Sequence, residues 1–176
     1  MISPELVSEV LECPLEDAQT YLPGVLDALK SKELLNNHTL IAVLATIGVE
    51  TGGFRPIPEC GGDDYFTENY EGREDLGNTE PGDGARYHGR GYVQITGRAN
   101  YQEYGQKLNA PLEDDPDLAL DPDIAAQIIV QYFWDREIDK AAQDGDWQGV
   151  RQLVNGGLNG WDEFSEFVGR LQQYLG

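Results

Sequence analysis

The 176-residue chain has few cysteines, few histidines and few basic side chains. Its two cysteines, Cys13 and Cys60, are too few for a disulfide framework. The two could pair, but Cys13 lies beside a proline and Cys60 lies in a glycine-rich loop, which favours free thiols. Because only two histidines are present and no cysteine–histidine cluster occurs, a zinc site is not expected. We expect no cofactor and no metal.

Positive charge is also scarce, since 12 basic residues face 32 acidic ones and the formal net charge is −20. Binding to nucleic acid depends on lysine and arginine clusters that neutralise phosphates, so nucleic acid is excluded as a partner. The same charge disfavours adhesion to an anionic membrane or an anionic cell wall. A neutral polymer is the easier partner for this surface.

Long apolar runs are absent, because none approaches the ~20 residues that span a bilayer. The first residues lack the basic and apolar regions of a signal peptide, which predicts synthesis in the cytoplasm. With 40% hydrophobic residues, the chain has the composition of a globular protein. Its length predicts one domain over residues 1–176 and, as the simplest assembly, a monomer.

The residue pattern predicts a mainly α fold, a helical domain with a small irregular or β lobe and a cleft between them. Ser3-Pro4 begins a first helix, and a second helical stretch is interrupted at Pro23. Residues 52–91 contain ten glycines and no helical period. Beyond them the pattern predicts a strand at 92–95 and helices near 97–108, 122–142, 146–154 and 162–174. Acidic residues at 114–123 and 144–146 could bind calcium, but helix N-caps at Asp121 and Asp146 explain them.

Two glutamates flank a glycine pair in the most informative segment of the chain. Residues 39–49 are apolar on nearly all faces and predict a buried helix, capped by Asn36-Asn37 and ended by Gly52-Gly53. Glu50 then lies in its last turn, where desolvation and the helix dipole both disfavour a charged carboxyl. Glu59 follows in a loop and should be solvated and ionised. The pair is consistent with a general acid and a general base, although a glutamate at a helix end is more often an ordinary surface residue.

Two further segments offer polar groups to a ligand. In the strand expected after Gly91, Tyr92, Gln94 and Thr96 alternate onto one face, and an edge strand with an ordinary polar face is the alternative. The second segment, Asn155-Gly156-Gly157, is typical of a helix C-cap, and the asparagine could also bind the acetamido group of a sugar.

Taken in order, these segments resemble family-19 chitinases and the related lysozyme-like endolysins of bacteriophages. The resemblance covers residues 36–170 and rests on an ordered set of motifs: Glu50-Thr51-Gly52-Gly53-Phe54, Glu59, Tyr70-Glu71-Gly72-Arg73, Asp75-Leu76-Gly77-Asn78-Thr79, Pro81-Gly82-Asp83-Gly84, Gly89-Arg90-Gly91, Gln94-Ile95-Thr96, Asn100-Tyr101 and Asn155-Gly156-Gly157-Leu158-Asn159-Gly160.

The resemblance implies an inverting glycoside hydrolase with a lysozyme-like fold. Glu50 matches the general acid, Glu59 the general base and Thr96 the residue that holds the attacking water. Residues matching those that bind the N-acetylated sugar are Gln94, Asn100 and Asn155. Inversion requires ~6.5–9.5 Å between the two carboxyl groups, so that a water fits. The chain departs from the chitinases at Val49, where relatives often have histidine, and at Asn159, where they have a third glutamate; it also has no arginine after this segment until Arg170.

From these residues we expect hydrolysis of a β-1,4-linked N-acetylhexosamine polymer. Peptidoglycan is favoured over chitin, because the likeness to phage-type sequences is closer and neither a signal peptide nor a separate carbohydrate-binding domain is visible. The −20 charge points the other way, toward neutral chitin. In either case the protein would act on a cell wall or an extracellular glycan after release. A non-catalytic glycan-binding or inhibitor protein is the alternative of another class, and retention of both glutamates argues against it.

Overall fold

The computed structural model describes residues 2–176 and is mostly helical. The chain divides into two compact units: residues up to Arg55 together with 129–176, and residues 56–128. No helix within residues 2–176 combines the length and apolar character that crossing a membrane requires. The mainly α fold class with a small β component is therefore confirmed. The single catalytic domain over 1–176 stays a prediction.

The first unit is built around a helix, α3 (Asn37–Thr51), whose ten central residues are all buried. Its elements are α1 (Pro4–Val10), α2 (Leu15–Ser31), α3 (Asn37–Thr51), the end of α7 (Pro122–Asp135), α8 (Ile138–Gln143), α9 (Trp147–Asn155) and α10 (Trp161–Leu175). Every residue of α3 from Thr39 to Gly48 is buried, as its apolar sequence predicts. Helices α8, α9 and α10 pack against α3, and α1 packs against α2.

Helix α3 begins and ends where its sequence predicts. The Asn36 side chain accepts a hydrogen bond from the backbone N–H of Thr39 at 2.9 Å, which satisfies one of the unpaired donors of the first turn. At the other end Gly52 adopts a left-handed conformation with φ of 60°, which glycine reaches without a steric penalty. Glu50 is consequently fixed in the last turn of α3.

The second unit combines short helices with a two-stranded antiparallel sheet. Its elements are β1 (Ile57–Pro58), α4 (Asp63–Tyr70), a 3₁₀ turn (Glu74–Leu76), α5 (Asp83–Arg86), β2 (Arg90–Gly91), α6 (Arg98–Leu108), a second 3₁₀ turn (Pro116–Leu120) and the start of α7. In the sheet Ile57 pairs with Gly91 and Pro58 with Arg90. Buried aromatic rings, among them Phe66, Tyr87 and Tyr101, form much of this unit's core.

Three sequence-based boundaries are wrong. Pro23 does not interrupt α2, because Leu22 and Val25 beside it are buried and packing offsets the lost backbone hydrogen bond. The expected helix at 122–142 is two helices, separated where Glu137 adopts a positive φ of 56°. Residues 63–70, expected to be irregular, form α4; only Phe66 of this segment is buried, so no hydrophobic period marks the helix.

The prediction of a strand at Tyr92–Ile95 is also wrong. The strand ends at Gly91, and the chain then turns back, so that Arg90 and Ile95 form an isolated bridge. Gln94 has a positive φ of 51°, which no regular strand contains. The expected alternation of side chains onto two faces therefore fails: Tyr92 is buried, while Val93 is half-buried.

The acidic clusters act as helix caps, as expected. Asp121 Oδ1 accepts from the backbone N–H groups of Asp123 and Ile124, at 3.0 and 3.1 Å. Asp146 Oδ1 accepts from Gly149 N at 2.9 Å and caps α9. Within residues 2–176 no group of three or more cysteine, histidine or carboxylate side chains is placed to hold a metal ion. Both cysteines are free thiols, Cys13 buried and Cys60 exposed.

Candidate active site

In the second unit, Glu59 is held by hydrogen bonds to both of its carboxylate oxygens. Glu59 directly follows β1, and its N–H donates to the carbonyl of Gly89 at 2.8 Å. The backbone N–H of Gly89 donates to Glu59 Oε2 at 3.1 Å, and the hydroxyl of Tyr70 donates to Oε1 at 2.6 Å. The carboxylate thus has a fixed orientation, although the sequence predicts only a solvated loop residue.

Three of the predicted site residues converge at Gly89. A methyl group on this glycine would lie 2.8 Å from Oε1 of Gln94, and 3.1 Å from both Oε2 of Glu59 and Oγ1 of Thr96. These three oxygens therefore surround the Cα of Gly89 so closely that no side chain larger than hydrogen fits there. The sequence places Gln94 and Thr96 on a common strand face, but the turn at 92–94 is what brings them together.

The site amides are also bound within the chain. Gln94 Nε2 donates to the carbonyls of Ile57 at 2.7 Å and Gly91 at 3.0 Å, so it ties the turn to the sheet. Asn100 Nδ2 donates to the carbonyl of Thr96 at 2.6 Å. Tyr92 is only 1% exposed, so little of its surface is available to a sugar; its role in substrate binding stays a prediction.

We predict that Gly89→Ala impairs activity far more than it destabilises the fold. The Gly89 backbone does not have a positive φ, so alanine is tolerated by the backbone, but its methyl group would displace the Glu59, Gln94 and Thr96 oxygens. We expect a loss of kcat of about tenfold or more, since small misplacements in a site cost up to 10²-fold. Gly169→Ala, at an open helical position, is the matched control. Unchanged kcat in Gly89→Ala would contradict the assignment of this cluster.

In the first unit, Glu50 forms an ion pair with an arginine that the sequence analysis missed. Arg151 Nη1 lies 2.5 Å from Glu50 Oε1, and the side chains are 4% and 24% exposed respectively. Arg151 lies on α9, before the Asn155-Gly156-Gly157 segment, whereas the family pattern directs attention to the residues after it.

The remaining bonds of Arg151 connect this pair to the asparagine segment. Arg151 Nε donates to the carbonyl oxygen of Asn159 at 2.7 Å, and Asn155 Nδ2 donates to the same oxygen at 3.0 Å. The expected C-cap of α9 is confirmed at Gly156, which is left-handed with φ of 76° and donates its N–H to the carbonyl of Gln152. Asn155 Oδ1 accepts from Gly157 N at 2.9 Å. The backbone carbonyl of Asn159 therefore accepts from both Arg151 and Asn155.

Comparison of the sequence with known protein families gives one match. The model of glycoside hydrolase family 19, chitinase class I, matches residues 41–149, which include both glutamates, Gln94, Thr96 and Asn100. The chain belongs to this family. A glycosyl hydrolase family 19 domain-containing protein of Haemophilus influenzae is 36% identical over 94 residues, covering 53% of this chain and 45% of that protein. An endochitinase of Arabidopsis thaliana is 29% identical over 130 residues, covering 73% of this chain and 43% of that protein.

Solved structures show the same fold. Chitinase C from Streptomyces griseus HUT6037 superposes with a TM-score of 0.76 at 21% identity, over 99% of this chain and 78% of that chain. A bacterial family 19 chitinase superposes with a TM-score of 0.72 at 20% identity, over 97% of this chain and 94% of that chain. The lysozyme-like helical fold is therefore shown. The chain spans less than half the length of the two curated relatives described above.

Proposed function

We propose that this protein is an inverting glycoside hydrolase that cleaves β-1,4 bonds in a polymer of N-acetylhexosamine. The observation that carries the proposal is the convergence of Glu59, Gln94 and Thr96 on Gly89, within the segment that matches family 19. A carboxylate with two fixed donors beside a hydroxyl is a suitable arrangement for activating a water. Binding alone would not require it, so an enzyme is favoured over a non-catalytic glycan-binding or inhibitor protein.

The proposed mechanism gives the two carboxyl groups different roles, one as general acid and the other as general base. Glu50 donates a proton to the glycosidic oxygen as the bond breaks, and Glu59 accepts a proton from the attacking water. Thr96 Oγ1 already donates its hydrogen to the carbonyl of Gln94 at 3.1 Å, so it offers lone pairs to the water. A water that donates to both Glu59 and Thr96 would have its own lone pair free for the anomeric carbon.

Chitin is the substrate we propose first. The named plant relatives are an endochitinase of Arabidopsis thaliana and a chitinase of Oryza sativa, and the solved relatives are bacterial chitinases. The formal charge of −20 supports the same choice, because a neutral polymer meets no electrostatic repulsion from this surface. This proposal reverses the preference for peptidoglycan that the sequence alone suggested.

Peptidoglycan remains the second candidate. The observation in its favour is the absence of the third glutamate that the resemblance assigns to the chitinases, because Asn159 stands at that position. Asn159 contacts Arg151 through its backbone carbonyl oxygen, which accepts from Nε of the arginine. A polysaccharide substrate is common to both candidates, and we propose release of the protein to a cell wall or an extracellular glycan and action there as a monomer.

Product analysis separates these candidates. The purified protein is incubated with chitin oligomers and with purified peptidoglycan, and products are identified by mass spectrometry. We expect cleavage of chitin oligomers, with the α-anomer formed first when products are followed by proton NMR. Activity on peptidoglycan alone would replace the first candidate by the second, and a first-formed β-anomer would contradict inversion. Binding without cleavage of either polymer would favour the non-catalytic alternative.

Thr96→Val tests the water-holding role. Valine preserves the shape of threonine but removes the hydroxyl, so we expect kcat to fall roughly tenfold, the equivalent of one hydrogen bond of ~1.4 kcal/mol, while KM changes little. Thr96→Ser keeps the hydroxyl and should retain most of the turnover. A raised KM with unchanged kcat would instead make Thr96 a sugar-binding residue, and unchanged kinetics would remove it from the site.

A further inference from the structure

The hydroxyl of Tyr70 forms the shortest hydrogen bond that Glu59 makes. Tyr70 is the last residue of α4, and its Oη lies 2.6 Å from Glu59 Oε1. Burial, followed by the hydrogen bond to Glu59 and the charge of that carboxylate, raises the pKa of Tyr70 to about 12. The phenol therefore keeps its proton over the range in which enzymes operate, and the group that faces Glu59 is always a donor.

The backbone around Tyr70 is fixed by its sequence neighbours. Asn78, which is fully buried, donates its Nδ2 to the carbonyl of Tyr70 at 2.9 Å and accepts from the N–H of Arg98 at 2.9 Å. Glu71 accepts from the N–H groups of Gly82 and Gly84, at 2.6 and 2.7 Å. Except for Arg98, the bonded residues belong to the motifs 70–73, 75–79 and 81–84, so these motifs serve to hold the end of α4 in place.

The ring of Tyr70 is held as well. Phe66 lies nearly parallel to it, with centroids 6.4 Å apart and planes inclined by 14°. The same Phe66 stacks on His88 at 4.1 Å and 6°, and His88 precedes Gly89 in the chain. Two elements that contact Glu59, the end of α4 and the segment before β2, are thus joined by a stack of rings. Offset aromatic contacts of this kind add stability beyond their buried area.

We propose that Tyr70 is a positioning residue for the general base. By holding Oε1, its hydroxyl prevents rotation of the carboxylate and leaves Oε2 directed toward Gly89 and Thr96, where the attacking water is bound. A free glutamate would sample several rotamers, and only some of them would present an oxygen to the water. This inference rests on the proposed function, because it assigns Tyr70 a task only if Glu59 is the base.

Tyr70→Phe in the full-length protein tests the inference. Phenylalanine keeps the ring packing against Phe66 and removes only the donor. We expect kcat on chitin oligomers to fall about tenfold while KM stays unchanged. The control is Tyr65→Phe, which removes an exposed hydroxyl from the same helix.

Each outcome decides the matter. Wild-type kcat in Tyr70→Phe would overturn the inference, and so would a raised KM with unchanged kcat. An unfolded protein would overturn it as well, since a hydroxyl whose loss unfolds the chain serves the fold. Measuring Glu59→Gln in parallel distinguishes failure of this inference from failure of the proposed function. If Glu59→Gln remains active, the base assignment itself is wrong; if it is inactive while Tyr70→Phe behaves as wild type, only the inference about Tyr70 is wrong.

Discussion

Replacement of Glu50 by glutamine is expected to reduce turnover by ~10²–10⁴-fold, the range that general acid catalysis contributes. Glutamine has nearly the same size but cannot protonate the leaving oxygen, and loss of an essential proton belongs at the upper end of this range. The measurement is kcat for hydrolysis of chitin oligomers, with binding of the same oligomers measured in parallel. Binding should persist, because the polar surface presented to the sugar is largely retained.

Because Glu50 is ion-paired with Arg151, the experiment needs a control that separates lost stability from lost catalysis. Arg151 is almost fully buried, and glutamine would leave its charge beside a neutral amide, so some loss of stability should accompany the loss of turnover. The double variant Glu50→Gln, Arg151→Gln should recover stability without recovering activity. Glu166→Gln is the matched surface control, since Glu166 also pairs with an arginine but is exposed. Retention of more than about a tenth of wild-type kcat in Glu50→Gln would contradict its role as the acid, on the scale expected for such a residue.

Local signals in the sequence predict the first part of the fold well. The apolar run of α3 and its cap at Asn36 depend on neighbours within four residues, and the structure confirms both. The caps at Ser3, Asp121 and Asp146 are of the same kind. Such features are readable because the hydrogen bonds that create them are local.

The failures arise where tertiary contacts decide the outcome. Pro23 is accommodated within α2 by packing of its neighbours, and α4 is stabilised by contacts of a single buried ring, Phe66, rather than by a hydrophobic stripe. The turn at 92–94 depends on a positive φ at Gln94 and on its amide bonds to Ile57 and Gly91. No residue period within the segment reports these contacts.

The same distinction applies to the candidate site. Glu59, Gln94 and Thr96 are found through the family resemblance, and the structure brings them together at Gly89. The partners of the two glutamates, Arg151 and Tyr70, are missed because they are 101 and 11 residues away from them in the chain. No local pattern marks Arg151 as buried. Its burial is seen in the structure, and a buried arginine requires an acidic partner.

In the second unit, Asp83 and Arg98 form the ion pair whose loss should cost the most stability. Asp83 accepts from Arg98 through both carboxylate oxygens, at 2.6 and 2.9 Å, and its side chain is only 3% exposed. Arg98 also lies 5.0 Å from the centroid of the Tyr87 ring and 3.1 Å from Glu113. Bidentate pairing of this kind fixes α5 against the first turn of α6.

Asp83→Asn is therefore expected to destabilise the protein by ~3–5 kcal/mol at pH 7, because it leaves the charge of Arg98 without its buried partner. For a chain of this size the loss corresponds to a fall in Tm of roughly 6–20 °C. Thermal unfolding followed by circular dichroism measures it. Asp75→Asn, which breaks the exposed pair with Arg73, should change Tm little, since exposed pairs contribute little. A similar Tm for both variants would contradict the assignment of a dominant buried pair.

The stability difference between the wild type and Asp83→Asn should depend on pH, whereas a difference caused by disturbed packing alone would not. The hydrogen bonds from Arg98 lower the pKa of Asp83 below its usual value. Because the pKa is depressed in the folded state, the pair contributes fully above the pKa of the unfolded chain, near ~3.9, and its contribution is lost as pH falls through the folded value. The wild type should thus lose its advantage over Asp83→Asn on acidification below about pH 4. A difference in stability that stays constant from pH 7 to pH 3 would mean that the asparagine disturbs packing, rather than the charge pair, at the start of α5.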